Sequence, residues 1–265
     1  MGVIKNIAYC INNATGKYIW AISDDDTIFP ETLPYIIKTL SQQPDLGILV
    51  LNYSSRDART GQLRYDRRFD INNEIVYGPA GVSLFEQIMA TEDPPQWGGL
   101  ALTTALIYRT ELAQQSLQDW PAGLENLTLR LVITGYCALH GSMLVTREAY
   151  LEFRDGRYSY ENGRQIEIKP FANKKTHFIF RQAEVPEAFV KLIKLGGDPR
   201  LFRRKILLQW AEYKGRKKLG CLIKWPVTTI VVLLRYLLAL GRAHYYCVTQ
   251  PQATGQSPAQ PSSQP

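Results

Sequence analysis

Three consecutive carboxylates, Asp24, Asp25 and Asp26, close the apolar run in the stretch GKYIWAISDDDTIFPETL, residues 16–33. Like charges about 4 Å apart repel by ~1 kcal/mol in water and ~4 kcal/mol at a surface-like dielectric. Such a run persists where water or a cation relieves it. Magnesium and manganese are hard cations, held by one or two carboxylates while substrate phosphates fill other positions. A carboxylate cluster at a strand end therefore suits a metal–diphosphate, and the metal would stabilise negative charge growing on a departing phosphate oxygen. The plainer reading is a solvated acidic turn that caps the next helix. A buried-type strand before the triplet, and Pro30 with a helix after it, favour the site.

The elements that must position these residues follow from the apolar pattern. Val3, Ile4, Ile7, Ala8 and Ile11 recur at helical spacing, and Gly16 stops that helix. KYIWAIS reads as a short buried parallel strand. Pro30 opens a helix through about Leu40, with Leu33, Ile36, Ile37 and Leu40 on one face. GILVLNY, residues 47–53, is a second buried strand. Helix, strand, helix, strand in this order gives an α/β fold with a mostly parallel sheet. Such sheets hold ligands at the carboxyl ends of their strands, where the aspartates lie.

Further along, LALTTALIYR (100–109) reads as a strand and GLENLTLRLVITG (123–135) as a helix closed by Gly135. GSMLVTREAYLEFRDG (141–156) reads as a strand followed by a loop, and residues 154–177 as polar and irregular. EAFVKLIKLGG is a short helix ended by glycine, and Asp198-Pro199 cap and open the next, about 199–213. A basic turn, KGRKK, precedes the strongly apolar WPVTTIVVLLRYLLALGR. The tail from about Val248 has the composition of a disordered segment.

The length of 265 residues suits one domain with appendages, and 45% apolar residues allow a real core. The net charge of +7 is local: residues 191–218 hold ten Lys or Arg and two acids, a net of +8, so the remainder sums to −1. That points to an anionic partner for the C-terminal part. Cys10, Cys137, Cys221 and Cys247 show neither metal-type nor disulfide spacing, which suits a reducing compartment. His140 and His177 have no ligand-like spacing, and MGVIKNIAYCINNATG is not a secretory signal.

The stretch ATGKYIWAISDDDTIFPETL resembles the signature of family-2 glycosyltransferases with the GT-A fold, of the type that builds bacterial surface polysaccharides, including abequosyltransferase-like enzymes. The resemblance is strong over residues 3–52, diffuse to about 156 and absent beyond about 180. It implies transfer of a sugar from a nucleotide diphosphate sugar to an acceptor hydroxyl, with Mg²⁺ or Mn²⁺. Carried over by position, Asp24, Asp25 and Asp26 form the metal and diphosphate site, with Asp25 the foremost ligand by its spacing to Pro30 and Asp26 beside it. Such enzymes begin with a further βα unit of roughly 30 residues or more. A GT-A-like sheet lacking its first βα elements, and with them much of the nucleotide pocket, is therefore expected: a partial, N-terminally truncated domain over 1–180, a helical extension over 181–247 and a disordered tail over 248–265.

An inverting transfer needs a carboxylate near the acceptor hydroxyl as general base. The resemblance places it in QDWPAGLENL, where Asp119 and Glu125 are candidates; alternatively Asp119 caps a turn and Glu125 favours the positive end of its helix. The Glu92-Asp93 pair sits early for the role, and Trp97, Gly98 and Gly99 form an acceptor loop or a plain turn.

The charge-free run from Trp225 to Leu234 is ten residues, against the ~20 that a spanning helix needs. Arg235 near the middle of a span would cost ~2.5–3.5 kcal/mol. In a helix from Pro226, Thr228, Arg235 and Arg242 line one face. A wide apolar arc with a narrow cationic stripe fits a helix lying in an anionic membrane surface. A helix packed on the domain with its cations exposed, or a tilted span with Arg235 snorkelling, are the alternatives. The polyprenyl-linked or saccharide acceptor that the resemblance implies favours the surface, on the cytoplasmic face of the plasma membrane. A remnant or membrane-binding partner without catalysis competes with the enzyme. So does a nucleic-acid-binding helix-turn-helix in AFVKLIKLGGDPRLFRRKILLQW. Leu201, Phe202, Ile206, Leu207, Leu208 and Trp210 leave that second helix no clean polar reading face, so no nucleic acid is expected.

Overall fold

The computed structural model describes residues 3–24, 26–58, 60–71, 75–77, 82–91, 97–155, 157–161, 164–168, 179–212 and 223–250. Asp25, Glu92, Asp93, His177, Cys221, the KGRKK turn and residues 251–265 of the tail lie outside them.

The chain opens with α1 (Val3–Asn13), which buries Ile4, Ala8 and Ile11 at the expected helical spacing. Then follow β1 (Tyr18–Trp20), β2 (Thr27–Ile28), α2 (Thr32–Gln42), β3 (Leu46–Asp57), β4 (Leu63–Tyr65), β5 (Ile75–Tyr77) and α3 (Val82–Ala90). Two 3₁₀ turns, Trp97–Ala101 and Thr103–Ala105, lead into β6 (Leu106–Arg109) and α4 (Thr110–Asp119). A third, Pro121–Glu125, precedes α5 (Leu129–His140) and β7 (Ser142–Asp155). The hairpin β8 (Arg157–Glu161) and β9 (Arg164–Ile168) is followed by α6 (Val185–Lys194), α7 (Pro199–Glu212) and α8 (Pro226–Thr249).

The main sheet runs β1-β6-β3-β7-β2, with β4 beside β3 and β5 beside β7. It is mixed, where a mostly parallel sheet is expected from the sequence. β3 and β7 pair in parallel, while β1–β6, β3–β6, β3–β4, β5–β7 and β2–β7 are antiparallel. The direction of β6 explains the difference. The 3₁₀ turns carry the chain to the carboxyl end of β3 before β6 begins, so β6 must run back down between β1 and β3. β1, β3 and β7 still point the same way, so their carboxyl ends share one pole.

Burial ranks the strands. Residues 46–55 of β3 are all buried, whereas β1 is half-buried throughout. The α2 face differs from the expected one: Thr32, Ile36 and Thr39 are buried, while Leu33 and Ile37 are exposed. Thr32 decides this, because its hydroxyl donates to the Tyr150 carbonyl and turns its own face onto β7, beside the Tyr35–Tyr150 ring stack. The expected strand at 100–109 starts only at Leu106, since the residues before it form the 3₁₀ turns. The expected helix at 123–135 starts at Leu129 and runs through Gly135 to His140. Gly135 is a packing residue: a Cβ there would lie 2.3 Å from Leu192 Cδ2, so glycine lets α6 approach α5. The true stop is Gly141, whose Cα would lie 3.0 Å from a Cβ on Gly47, so the α5–β7 corner packs closely against the start of β3.

The chain leaves α6 through Gly196, with φ of +106°, which suits glycine. Asp198 Oδ1 then accepts from the Arg200 N–H at 2.8 Å, the expected cap of α7. The C-terminal helices share one core with the sheet: Phe189, Ile193, Phe202, Ile206, Tyr236, Ala239 and Ala243 belong to the same buried cluster as Ile48, Leu49 and Val50.

Candidate active site

The acidic segment occupies the shared carboxyl pole. β1 lies at one end of the strand order and β2 pairs with β7 beyond β3, so residues 21–24 and 26 lie between the two on the carboxyl side of the sheet. The crossing is tethered at both ends. The Trp20 indole Nε1–H donates to the Thr104 carbonyl at 2.8 Å, and the Ser23 N–H donates to Thr104 Oγ1 at 3.0 Å. At the far side, Thr27 and Ile28 are in register with Glu152 and Leu151 of β7.

Asp24 is exposed; Asp26 is half-buried, with both carboxylate oxygens buried. Burial drives the Tyr53 phenol far above its ordinary pKa, with Tyr65 beside it and Arg68 opposing, and the charge of Asp26 adds to the rise. Asp26 therefore lies within electrostatic reach of Tyr53, near the end of the buried part of β3.

A buried asparagine fixes this pole from beneath. Asn52 Nδ2 donates to the Phe69 and Arg147 carbonyls at 2.9 and 3.0 Å. Its Oδ1 accepts from the N–H groups of Arg68, Phe69 and Tyr53 at 2.8, 2.9 and 3.1 Å. The segment carrying Arg68 is thus hung on β3. Arg130, in the first turn of α5, donates to Thr103 Oγ1 and brings a second cation to the turn that tethers Ser23. Neither Asn52 nor Arg130 stands out in the sequence, since their spacing matches no chemical motif. An Asn inside the apolar run GILVLNY was the available signal for the first.

Asp119 and Glu125 are placed elsewhere by their ion pairs. Asp119 ends α4 and pairs with Lys191 of α6, in a pocket between α6 and α8. Glu125 ends its 3₁₀ turn and pairs with Lys5 of α1 at 2.5 Å, with 76% of its side chain exposed. Gly99 packs under Arg68 and Phe69, where a Cβ would come within 2.7 Å of the Phe69 ring, so this turn abuts the Asn52-held segment. His140 stacks on Tyr136 at the end of α5.

Among the described residues, which exclude Asp25, no three His, Cys, Asp or Glu side chains converge as a metal cluster. Asp24 and Asp26 nevertheless supply the donor chemistry of a magnesium- or manganese-phosphate site, hard carboxylate oxygens on one segment, one side chain exposed and the other with buried oxygens. No curated protein matches the chain. Residues 1–100, from α1 through the acidic crossing and β3 to the first 3₁₀ turn, match the family model of glycosyl transferase family 2, and the match supports glycosyl transfer from a nucleotide-sugar donor to an acceptor.

Proposed function

We propose that the protein transfers a sugar from a nucleotide diphosphate sugar to the hydroxyl of a saccharide or polyprenyl-linked acceptor in surface-polysaccharide assembly. The observation that carries this reading is the acidic crossing itself. Asp24 and Asp26 sit on a segment stretched over the carboxyl pole of the sheet and tied to Thr104, within the portion that matches the transferase family. Asp24, Asp25 and Asp26 would hold a magnesium or manganese ion together with the donor diphosphate. When bound, the ion supplies electrostatic stabilisation of the leaving diphosphate. Arg130 and Arg68 add fixed positive charge at the same pole.

The transfer balances simply. The acceptor hydroxyl oxygen forms a bond to the anomeric carbon, the bond from that carbon to the diphosphate breaks, and the nucleoside diphosphate leaves with the electron pair. The hydroxyl proton passes to a carboxylate base. Asp119 and Glu125, each held in an ion pair with its side chain 47% and 76% exposed respectively, are the residues to test for that role.

α8 has 24 residues and is long and apolar enough to cross a membrane, at ~36 Å. One stripe of it, Val232, Tyr236, Ala239 and Ala243, is buried against the domain, and Arg235 at its middle forms a two-pronged pair with Glu187 of α6, both bonds 2.6 Å. A span would strip away both. We read α8 as lying on the cytoplasmic membrane surface, its outward residues in the lipid boundary.

The test is release of nucleoside diphosphate from a panel of nucleotide sugars with manganese present. Turnover that falls by about 10²–10³-fold in Asp26→Asn supports the assignment. Equal turnover in wild type and variant, or none with any donor, rejects it.

A further inference from the structure

The pocket between α6, α8 and the end of α4 measures about 390 Å³. Four cations, Lys191, Lys194, Arg235 and Arg242, line it against two carboxylates, Asp119 and Glu187. Lys191 pairs with Asp119 and Arg235 with Glu187, so both carboxylates are neutralised. Lys194 and Arg242 have no carboxylate partner among the described residues, and both are exposed. A second pocket of about 410 Å³ continues along α8, sharing Lys194, Leu238 and Arg242 and adding Leu237 and Tyr245. The two cations left over can grip one singly charged lipid phosphodiester from both sides.

The wall beyond is apolar. Leu234, Leu238 and Tyr245 are 55%, 59% and 63% exposed on the outward side of α8, beside Ile230 and Leu237. Isolated surface leucines are ordinary, but a contiguous apolar face rimmed by unneutralised cations marks an interaction site. The order around the helix is buried stripe, cationic flank, apolar outer face. The domain thus holds Lys194 and Arg242 at the level where lipid phosphates lie if the outer face enters a membrane.

We infer that the α6–α8 groove binds the phosphate of an anionic membrane lipid between Lys194 and Arg242, with the lipid chains along Leu238 and Tyr245. This rests on the reading of α8 as a surface helix and not on sugar transfer. These two cations, without a carboxylate partner among the described residues, select the occupant: a neutral lipid would leave them without a counter-charge, and a soluble anion would leave the leucine wall uncovered.

The experiment is sedimentation of the full chain with vesicles of phosphatidylcholine, alone or mixed in equal amounts with phosphatidylglycerol, in wild type, Lys194→Gln/Arg242→Gln and the charge-matched control Lys17→Gln/Lys38→Gln. Lys38 lies on α2, away from the groove, and all four side chains are exposed, so folding is retained and is checked by circular dichroism. The groove predicts preference for the mixed vesicles, a loss of about 25-fold in the groove variant and less than about twofold in the control. Equal losses in both variants, or none in the groove variant, overturn the groove while leaving α8 on the surface. Failure of wild type to bind either vesicle overturns the surface reading as well. Competition by inorganic phosphate at low concentration would assign the groove to a soluble anion and reject the lipid.

Discussion

The acidic crossing and the cationic groove each gather like charges, yet by different means. At the crossing, three aspartates are neighbours in sequence, and Trp20 and Ser23 just before them are tied to Thr104. In the groove, four cations from two helices converge, and two of them are neutralised by carboxylates. The first arrangement keeps charge on a short backbone tied to Thr104, beside the Arg68–Phe69 segment that Asn52 holds on β3. The second keeps charge on long side chains over helices that share the main core. A strand-end loop can therefore position a small ion and its phosphates closely, whereas the groove offers a broad cationic rim.

The two regions should respond unequally to substitution. Asn52→Ala removes five hydrogen bonds beneath the crossing and strands buried backbone groups of Phe69 and Tyr53. Denaturant unfolding should show a loss of about 3–5 kcal/mol. A loss under about 1 kcal/mol would mean that the anchor is dispensable.

Gly135→Ala tests the helical side. Its new Cβ would collide with Leu192 and push α6 from α5, at a cost of about 1–3 kcal/mol in the same measurement. Unchanged stability would show that α6 is loosely seated. Glu187→Gln weakens the pair with Arg235, whose side chains are 37% and 33% exposed, and should cost about 1 kcal/mol. It should also raise affinity for anionic vesicles, since a further groove cation is released. Glu125→Gln should change stability by less than about 0.5 kcal/mol, because its partner Lys5 is itself half exposed. Loss of sugar transfer in that stable variant would mark Glu125 as the base, and full activity would direct the search to Asp119.

The same contrast separates what the sequence discloses from what it hides. Helices α1, α6 and α7 are legible because their apolar spacing and glycine or Asp-Pro punctuation are local signals, as Gly196 and Asp198 confirm. β3 is legible as a continuous apolar run. Sheet direction is hidden, since the antiparallel course of β6 depends on where the 3₁₀ turns deliver the chain. Gly135 reads locally as a stop, yet its meaning lies in Leu192, far along the chain. The exposure of Leu33 and Ile37 likewise follows from the Thr32–Tyr150 bond, which no periodicity reveals. The aspartates announce themselves, but Thr104, which holds their segment, and Asn52, which holds the neighbouring Arg68–Phe69 segment, carry no motif. On α8 the cation spacing is visible, whereas its orientation, with Arg235 turned to Glu187 and leucines turned out, is set by packing.

The most direct test is calorimetric titration of manganese into the full chain with UDP or GDP present, comparing wild type with Asp24→Asn/Asp26→Asn. The account predicts saturable uptake by wild type that the variant loses while its melting temperature holds. Equal uptake by both proteins, or none by wild type with either nucleotide, would contradict it.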